Sequence, residues 1–171
     1  GINVQDRCTV SDVIISNLTI DTSTRHWNWW GSSEMCKFVL KKRQETSKLG
    51  RIKDISVSNI IAHARGTSTI KGHSEQPLEN IRFNNIQLFM LTEDAKDKRA
   101  SNALEIENVS GIKISDFTVS WQEDQSEKKW ESALLLRKIN DLELREFKGR
   151  QGLKDSSMPA IVIEDVREGL I

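Results

Sequence analysis

The sequence predicts an all-β chain folded as a parallel β-helix, a solenoid of about five to six coils with an asparagine ladder. Three observations predict it. A nine-residue pattern recurs five times: DVIISNLTI from Asp12, DISVSNIIA from Asp54, NIRFNNIQL from Asn80, GIKISDFTV from Gly111 and DLELREFKG from Asp141. Within each copy the apolar residues stand two apart, the period of a strand with one buried face and not of a helix. One phase of the pattern carries Asn17, Asn59, Asn85, Asp116 and Glu146, at steps of 42, 26, 31 and 30 residues. Repeats of this length bury their apolar faces by stacking on one another.

Each repeat opens on a short strand, read at Ile2–Val4, Phe38–Leu40, Thr69–Lys71, Leu104–Ile106, Leu134–Leu136 and Ile161–Ile163. A second strand precedes the Asn position, with core pairs Val13/Ile15, Ile55/Val57, Ile81/Phe83, Ile112/Ile114 and Leu142/Leu144. A third follows it, as in Leu18/Ile20, Ile86/Leu88 and Phe117/Val119. The β-branched and aromatic content agrees with strands. Each strand then pairs with its equivalent in the next coil, and aliphatic stacks fill the interior. Asparagine suits the corner because it tolerates the left-handed backbone conformation. Its amide also hydrogen-bonds along the stack. Asp116 and Glu146 break the series, so the ladder is expected to weaken towards the C-terminus. A β-sandwich is the competing fold, but it has no need for Asn at one phase of a repeat.

Composition bounds the rest. With 171 residues, 37% hydrophobic and 29% charged, the chain suits one globular domain, taken as 1–171, and not a disordered tail. Lys+Arg and Asp+Glu are both 25, so the basic excess of a general nucleic-acid binder is missing and no nucleic-acid partner is expected. No apolar run approaches the roughly 20 residues of a bilayer span, and no membrane partner is expected. Cys8 and Cys36 do not make a disulfide framework; a bridge between them and two free thiols both stay open. Neither cysteine has the neighbours of a zinc site, and the three histidines are scattered, so no metal and no cofactor are expected.

The series GINVQDR, SNLTIDT, RHWNWWGSSE and GRIKDISVSNI resembles the bacterial polygalacturonase-like branch of the family 28 glycoside hydrolases. Gly1, Arg7, Ser16-Asn17, Trp29-Trp30-Gly31, Glu34 and Gly50 through Ile60 carry the resemblance. It covers most of the chain and fades after Gly111. The resemblance implies a right-handed helix of coils, hydrolysis of uronic acid polymers such as pectin, and an extracellular or periplasmic location. It also implies catalysis by carboxylates on neighbouring coils. The family's Asn-Thr-Asp, Asp-Asp and Gly-His-Gly signatures are absent from the sequence. Arg51-Ile52-Lys53 spells a fourth signature at the entry to a strand, where Lys53 reads as solvated. Gly72-His73-Ser74 matches only part of the third. In this branch the Trp-Trp-Gly loop lies C-terminal to the catalytic coils. The resemblance therefore implies the C-terminal part of a longer β-helix, with no catalytic residue in this chain.

Residues for binding can still be named. The long first step places its excess between Asp21 and Gly50, which includes Arg25, Trp27, Trp29, Trp30 and Glu34. Tryptophan faces suit the C–H faces of sugars, and Arg or Lys suits a uronate carboxylate. Packing of Trp29 and Trp30 over the coil beneath is the other reading. Lys41, Lys71 and His73 point outward and either line an acidic-polymer groove or form a solvated face. Glu105 and Glu107 fall on the same side of one strand, about 7 Å apart. Lys71 near Glu105 makes this an ordinary cross-strand pair and not a catalytic dyad. The segments Glu93–Ser101 and Gln122–Lys129 read as exposed turns.

The expected function is the C-terminal part of a pectin-degrading glycoside hydrolase, inactive alone. The alternative is a non-catalytic carbohydrate-binding or structural β-helix module. The expected partner is an acidic polysaccharide or oligosaccharide. The open ends of a stack also predict end-to-end self-association or contact with missing N-terminal coils.

Overall fold

The computed structural model describes residues 1–23 and 32–171. These form ten strands: β1 (Ile2–Val4), β2 (Thr9–Val10), β3 (Val13–Asp21), β4 (Lys37–Leu40), β5 (Arg51–Ala64), β6 (Ser68–Lys71), β7 (Leu78–Met90), β8 (Leu104–Trp121), β9 (Leu134–Lys148) and β10 (Ile161–Leu170). No helix occurs among the described residues. Every pairing between these strands is parallel. The architecture is thus all-β and consistent with a parallel β-solenoid.

Register turns the repeat into a core. Val13 pairs with Ile55, Ile55 with Ile81, Ile81 with Ile112 and Ile112 with Leu142. Two residues on, Ile15, Val57, Phe83, Ile114 and Leu144 form a second stack. Leu18, Ile60, Ile86, Phe117 and Phe147 form a third. On the other limb, Ile2, Phe38, Ile70, Ile106, Leu136 and Ile163 stack through β1, β4, β6, β8, β9 and β10. From Phe38 to Leu144 these inward residues are almost wholly buried. A one-residue slip would turn every such set outward, so burial fixes the register.

The expected trio of short strands is fused in the later repeats. β8 runs unbroken for 18 residues although it contains Asn108, Gly111 and Asp116 at φ of 56°, 76° and 49°. A single left-handed residue redirects the chain without interrupting the pairing on either side.

The nine-residue pattern also holds two corners, not one. Its sixth position is left-handed at Asn17, Asn59, Asn85, Asp116 and Glu146, with φ between 49° and 58°. Its first position is left-handed as well, at Asp12, Asp54, Asn80, Gly111 and Asp141, with φ between 52° and 76°. The side-chain ladder is directional. The Asn59 amide donates to Asn17 at 2.9 Å and the Asn85 amide donates to Asn59 at 2.9 Å. Asp116 is the next rung, and an ionised carboxylate has no proton to donate. No side-chain hydrogen bond among the described residues continues the ladder, so it weakens where the sequence departs from Asn. In the other column Asn80 donates to Asp54 at 2.7 Å. That bond, with the Lys53 ammonium at 3.0 Å, holds the Asp54 carboxyl below its ordinary range. Lys53 is therefore an ion-paired, half-buried side chain and not simply a solvated one.

The turn segments are more ordered than their composition suggests. Glu93 is 6% exposed because its carboxylate accepts the backbone N–H groups of Arg99 and Ala100 at 2.6 and 2.7 Å. The Glu93 N–H donates to Glu127 at 3.1 Å, and Lys98 pairs with Glu127 at 3.0 Å, so this turn is tied to the one in the next repeat. Trp130 is buried there against Trp121, with ring centroids 4.9 Å apart. Gln122–Lys129 is otherwise mostly exposed, as its composition suggests, and the packing comes from Glu93, Ala95, Ala100 and Trp130. Both cysteines are free thiols. Cys8 is exposed, while burial pushes the Cys36 thiol up to about 12, partly offset by the N-terminal ammonium and reinforced by Glu34.

Two outcomes are expected. Asn59→Ala loses two ladder bonds and places a Cβ-bearing residue without local hydrogen bonding in a left-handed corner, so it should cost about 2–3 kcal/mol. Asn59→Gly keeps the backbone conformation and should cost about 1 kcal/mol less. Urea midpoints that fall equally in both would show that the corner conformation does not matter. At pH 8, iodoacetamide should label the exposed Cys8 well before the half-buried Cys36, read by peptide mass.

Candidate functional site

Arg25, Trp27, Trp29 and Trp30 lie outside the described residues. Glu34 lies within them, and its carboxylate accepts the backbone N–H of Ser32, closing a short turn ahead of β4. Lys41, Lys71 and His73 are brought together.

Their meeting follows from the register. Lys71, the last residue of β6, stands outward beside Val39 of β4 and beside Glu107 of β8. Glu107 in turn pairs with Arg137, and Arg137 with Glu164. Asn3, Val39, Lys71, Glu107, Arg137 and Glu164 thus form one outward column across six strands. The Lys71 Nζ meets Glu107 Oε2 at 2.6 Å, the Lys138 Nζ lies 3.8 Å from Glu107 Oε1, and Arg137 pairs with Glu164 at 2.7 Å. Lys71 therefore pairs with Glu107, whereas the sequence suggested Glu105. Glu105 instead accepts from Asn102 at 2.8 Å and from Ser101 at 3.3 Å.

Beyond Lys71 the chain makes a tight turn. Any side chain at Gly72 would strike the Asn108 carbonyl oxygen and come within 2.9 Å of the Leu78 nitrogen. The Gly72 N–H donates to the Glu107 carbonyl at 2.9 Å. His73 and Gln76 exchange backbone hydrogen bonds of 3.0 and 2.9 Å, and the Asn108 side-chain amide donates to the His73 carbonyl. The Glu75 N–H donates to His73 Nδ1 at 3.2 Å, which leaves the ring proton on Nε2 in the neutral imidazole. Lys42 reaches across to Glu75 at 2.7 Å and anchors the turn to the segment after β4.

The result is a cleft of about 470 Å³. Val39 and Leu40 give it an apolar wall, while Lys41, Lys71 and Lys138 set three cations against the single carboxylate of Glu107. His73, Ser74 and Asn108 complete the rim. A second cleft of about 280 Å³ shares Asn108 and Lys138 and adds Ile139, Asn140, Asp165 and Arg167, so its charges are of both signs. A cleft of similar size to the first, about 480 Å³, lies elsewhere between Gln122 and Ser156 and carries charges of both signs, Glu123, Arg150, Lys154 and Asp155. It contains none of the residues named from the sequence for binding.

The chemistry of the lysine cleft is anion recognition. Apolar walls beside cationic heads suit a ring with C–H faces and an acidic substituent. Proton transfer is less well served. A general acid at neutral pH needs a raised carboxyl pKa, and the hydrogen bond from Lys71, followed by the charges of Lys71, Lys138 and Arg137, holds Glu107 below its ordinary value. His63, noted in the sequence only as one of three scattered histidines, stacks on Phe89 with centroids 4.9 Å apart. Lys138 and Asn108 were not picked out from the sequence. Both are left-handed corner residues, at φ of 51° and 56°, and their matching phase in successive repeats was the available signal.

Comparison with models of known families, with curated proteins and with solved structures finds no match.

The site carries a pH expectation. Glu107, Glu75 and Glu143 are each held below their ordinary 4.5 by a lysine partner. A carboxyl depressed by folding adds stability that is complete above the unfolded value and is lost as pH falls through the folded one. The melting temperature should therefore be flat above about pH 5.5 and fall steadily towards about pH 3. Glu107→Gln should flatten part of that fall; an unchanged profile would mean the Lys71 pair adds no stability.

Proposed function

We propose that the chain binds an acidic polysaccharide or oligosaccharide and does not hydrolyse it on its own. In this reading it is a right-handed parallel β-helix of five to six coils, the C-terminal part of a longer helix of the polygalacturonase type, working outside the cytoplasm. The observation that carries the reading is the convergence of Lys41, Lys71 and His73, three residues chosen from the sequence for uronate binding, on one cleft with an apolar wall. The family resemblance supplies the polymer class. The half-exposed apolar residues at the two ends of the stack, Leu18 at one and Ile163 and Leu170 at the other, support contact with further coils or a second copy.

The alternative, a non-catalytic carbohydrate-binding module, draws support from Glu107, whose carboxyl is shifted away from acid catalysis. Both readings require binding, and they separate on hydrolysis by the longer protein. Titration calorimetry with trigalacturonate should show binding, weakened at least about tenfold in Lys41→Ala/Lys71→Ala. Reducing-end assays on polygalacturonate and rhamnogalacturonan should show no release by this chain. Release would place the catalytic carboxylates here and overturn the proposal, and absence of binding would sink the uronate assignment.

A further inference from the structure

The lysine cleft already holds an anion of its own. The Glu107 carboxylate sits 2.6 Å from the Lys71 ammonium and 3.8 Å from that of Lys138. Lys71 therefore presents a neutralised head to any ligand. Lys41 has no ion pair among the described residues, and the 3.8 Å approach of Lys138 is loose. The two flank the occupied pair: Lys41 follows β4, and Lys138 sits on β9, with β6 and β8 between them. At the spacing of neighbouring strands, roughly 4.8 Å, their backbones are about 14 Å apart.

We infer that Glu107 is the residue that sets the specificity of this cleft, admitting anions with at least two charged groups in a line and rejecting single carboxylates. The inference rests on the reading of the cleft as an acidic-saccharide site and names the ligand class within it. A lone carboxylate that displaces Glu107 exchanges one carboxylate for another at Lys71. It gains no net ion pair and still loses its own freedom on binding. A lone carboxylate that leaves Glu107 in place meets only one flanking cation, beside a like charge. An oligomer whose acidic groups recur along its length engages Lys41 and Lys138 together. Its second contact is made at high effective concentration once the first is formed. The intervening Glu107–Lys71 pair then faces the uncharged part of the ligand, where its carboxylate can accept a hydroxyl.

The experiment is titration calorimetry of the wild-type chain, Glu107→Gln and Glu107→Asp with galacturonate, trigalacturonate and inorganic sulfate, with circular dichroism to show that each variant is folded. In the wild type, trigalacturonate should bind and the monomer should not. In Glu107→Gln the monomer should become measurable, with a gain of at least about tenfold that exceeds the gain for the trimer. Glu107→Asp keeps the charge and should keep the rejection, so it tests the idea even if the glutamine variant does not fold. Monomer affinity unchanged in Glu107→Gln, or trimer affinity lost in it, would overturn the inference. If trigalacturonate binds none of the three proteins, the uronate reading fails on its own. Sulfate then decides the role of Glu107: tighter binding in Glu107→Gln upholds it and equal binding overturns it.

Discussion

The structure depends on one local constraint, a single residue that turns the chain through the left-handed region without breaking the parallel pairing around it. Ordinary residues lose about 1–2 kcal/mol there. Asn, Asp and Gly lose less, which is why they hold most of the corner positions, including both corners in each of the first three copies of the nine-residue pattern. Because the turn takes one residue, the strands on either side keep their hydrogen bonds to the neighbouring repeat. Because those bonds are parallel and in register, like side chains meet like. The aliphatic stacks, the amide ladder and the outward columns are three consequences of the same rule.

The outward columns are where this rule meets chemistry. Parallel stacking brings Lys71, Glu107 and Arg137 into one line although they are 36 and 30 residues apart in sequence. Opposite charges at successive positions neutralise most of that line. The cleft forms where the alternation ends, at Val39 of β4, with Lys41 and Lys138 beside a pair that is already satisfied. The apolar wall comes from the same place, since Val39 occupies an outward position that elsewhere in the column is polar.

Much of the fold was legible because two signals agreed: the period-two alternation of residues such as Ile55, Val57, Ile81 and Phe83, and the recurrence of Asn at one phase. The second corner was written just as plainly, in the Asp, Asn or Gly that begins every copy, but it lacks an amide in most copies and so does not advertise a ladder. Glu146 and Lys138 show the limit of such reading. Both adopt the corner conformation with side chains that give no hint of it, held there by the pairing on either side. At the site, outward phase puts Lys41, Lys71 and His73 on one side of the chain, and all three line the same cleft. The triplets Thr69–Lys71 and Leu104–Ile106 leave the register of β6 on β8 open, and the pairing sets Thr69 against Glu105 and Lys71 against Glu107. The burial of Glu93 is not legible in its neighbours, because it depends on backbone donors six and seven residues away.

The two corners of the nine-residue pattern are five positions apart in all five copies, while the distance from one copy to the next varies widely. Change in chain length is therefore confined to the links outside these corners, on either side of the strands that carry Phe38 and Ile70. A residue gained or lost between the corners would exchange inside for outside along the rest of that strand. The same event in a linking segment, such as the one that makes the first step the longest, leaves the stack untouched. Such a fold can acquire new loops, and with them new ligands, by insertion in these links while its frame remains constant.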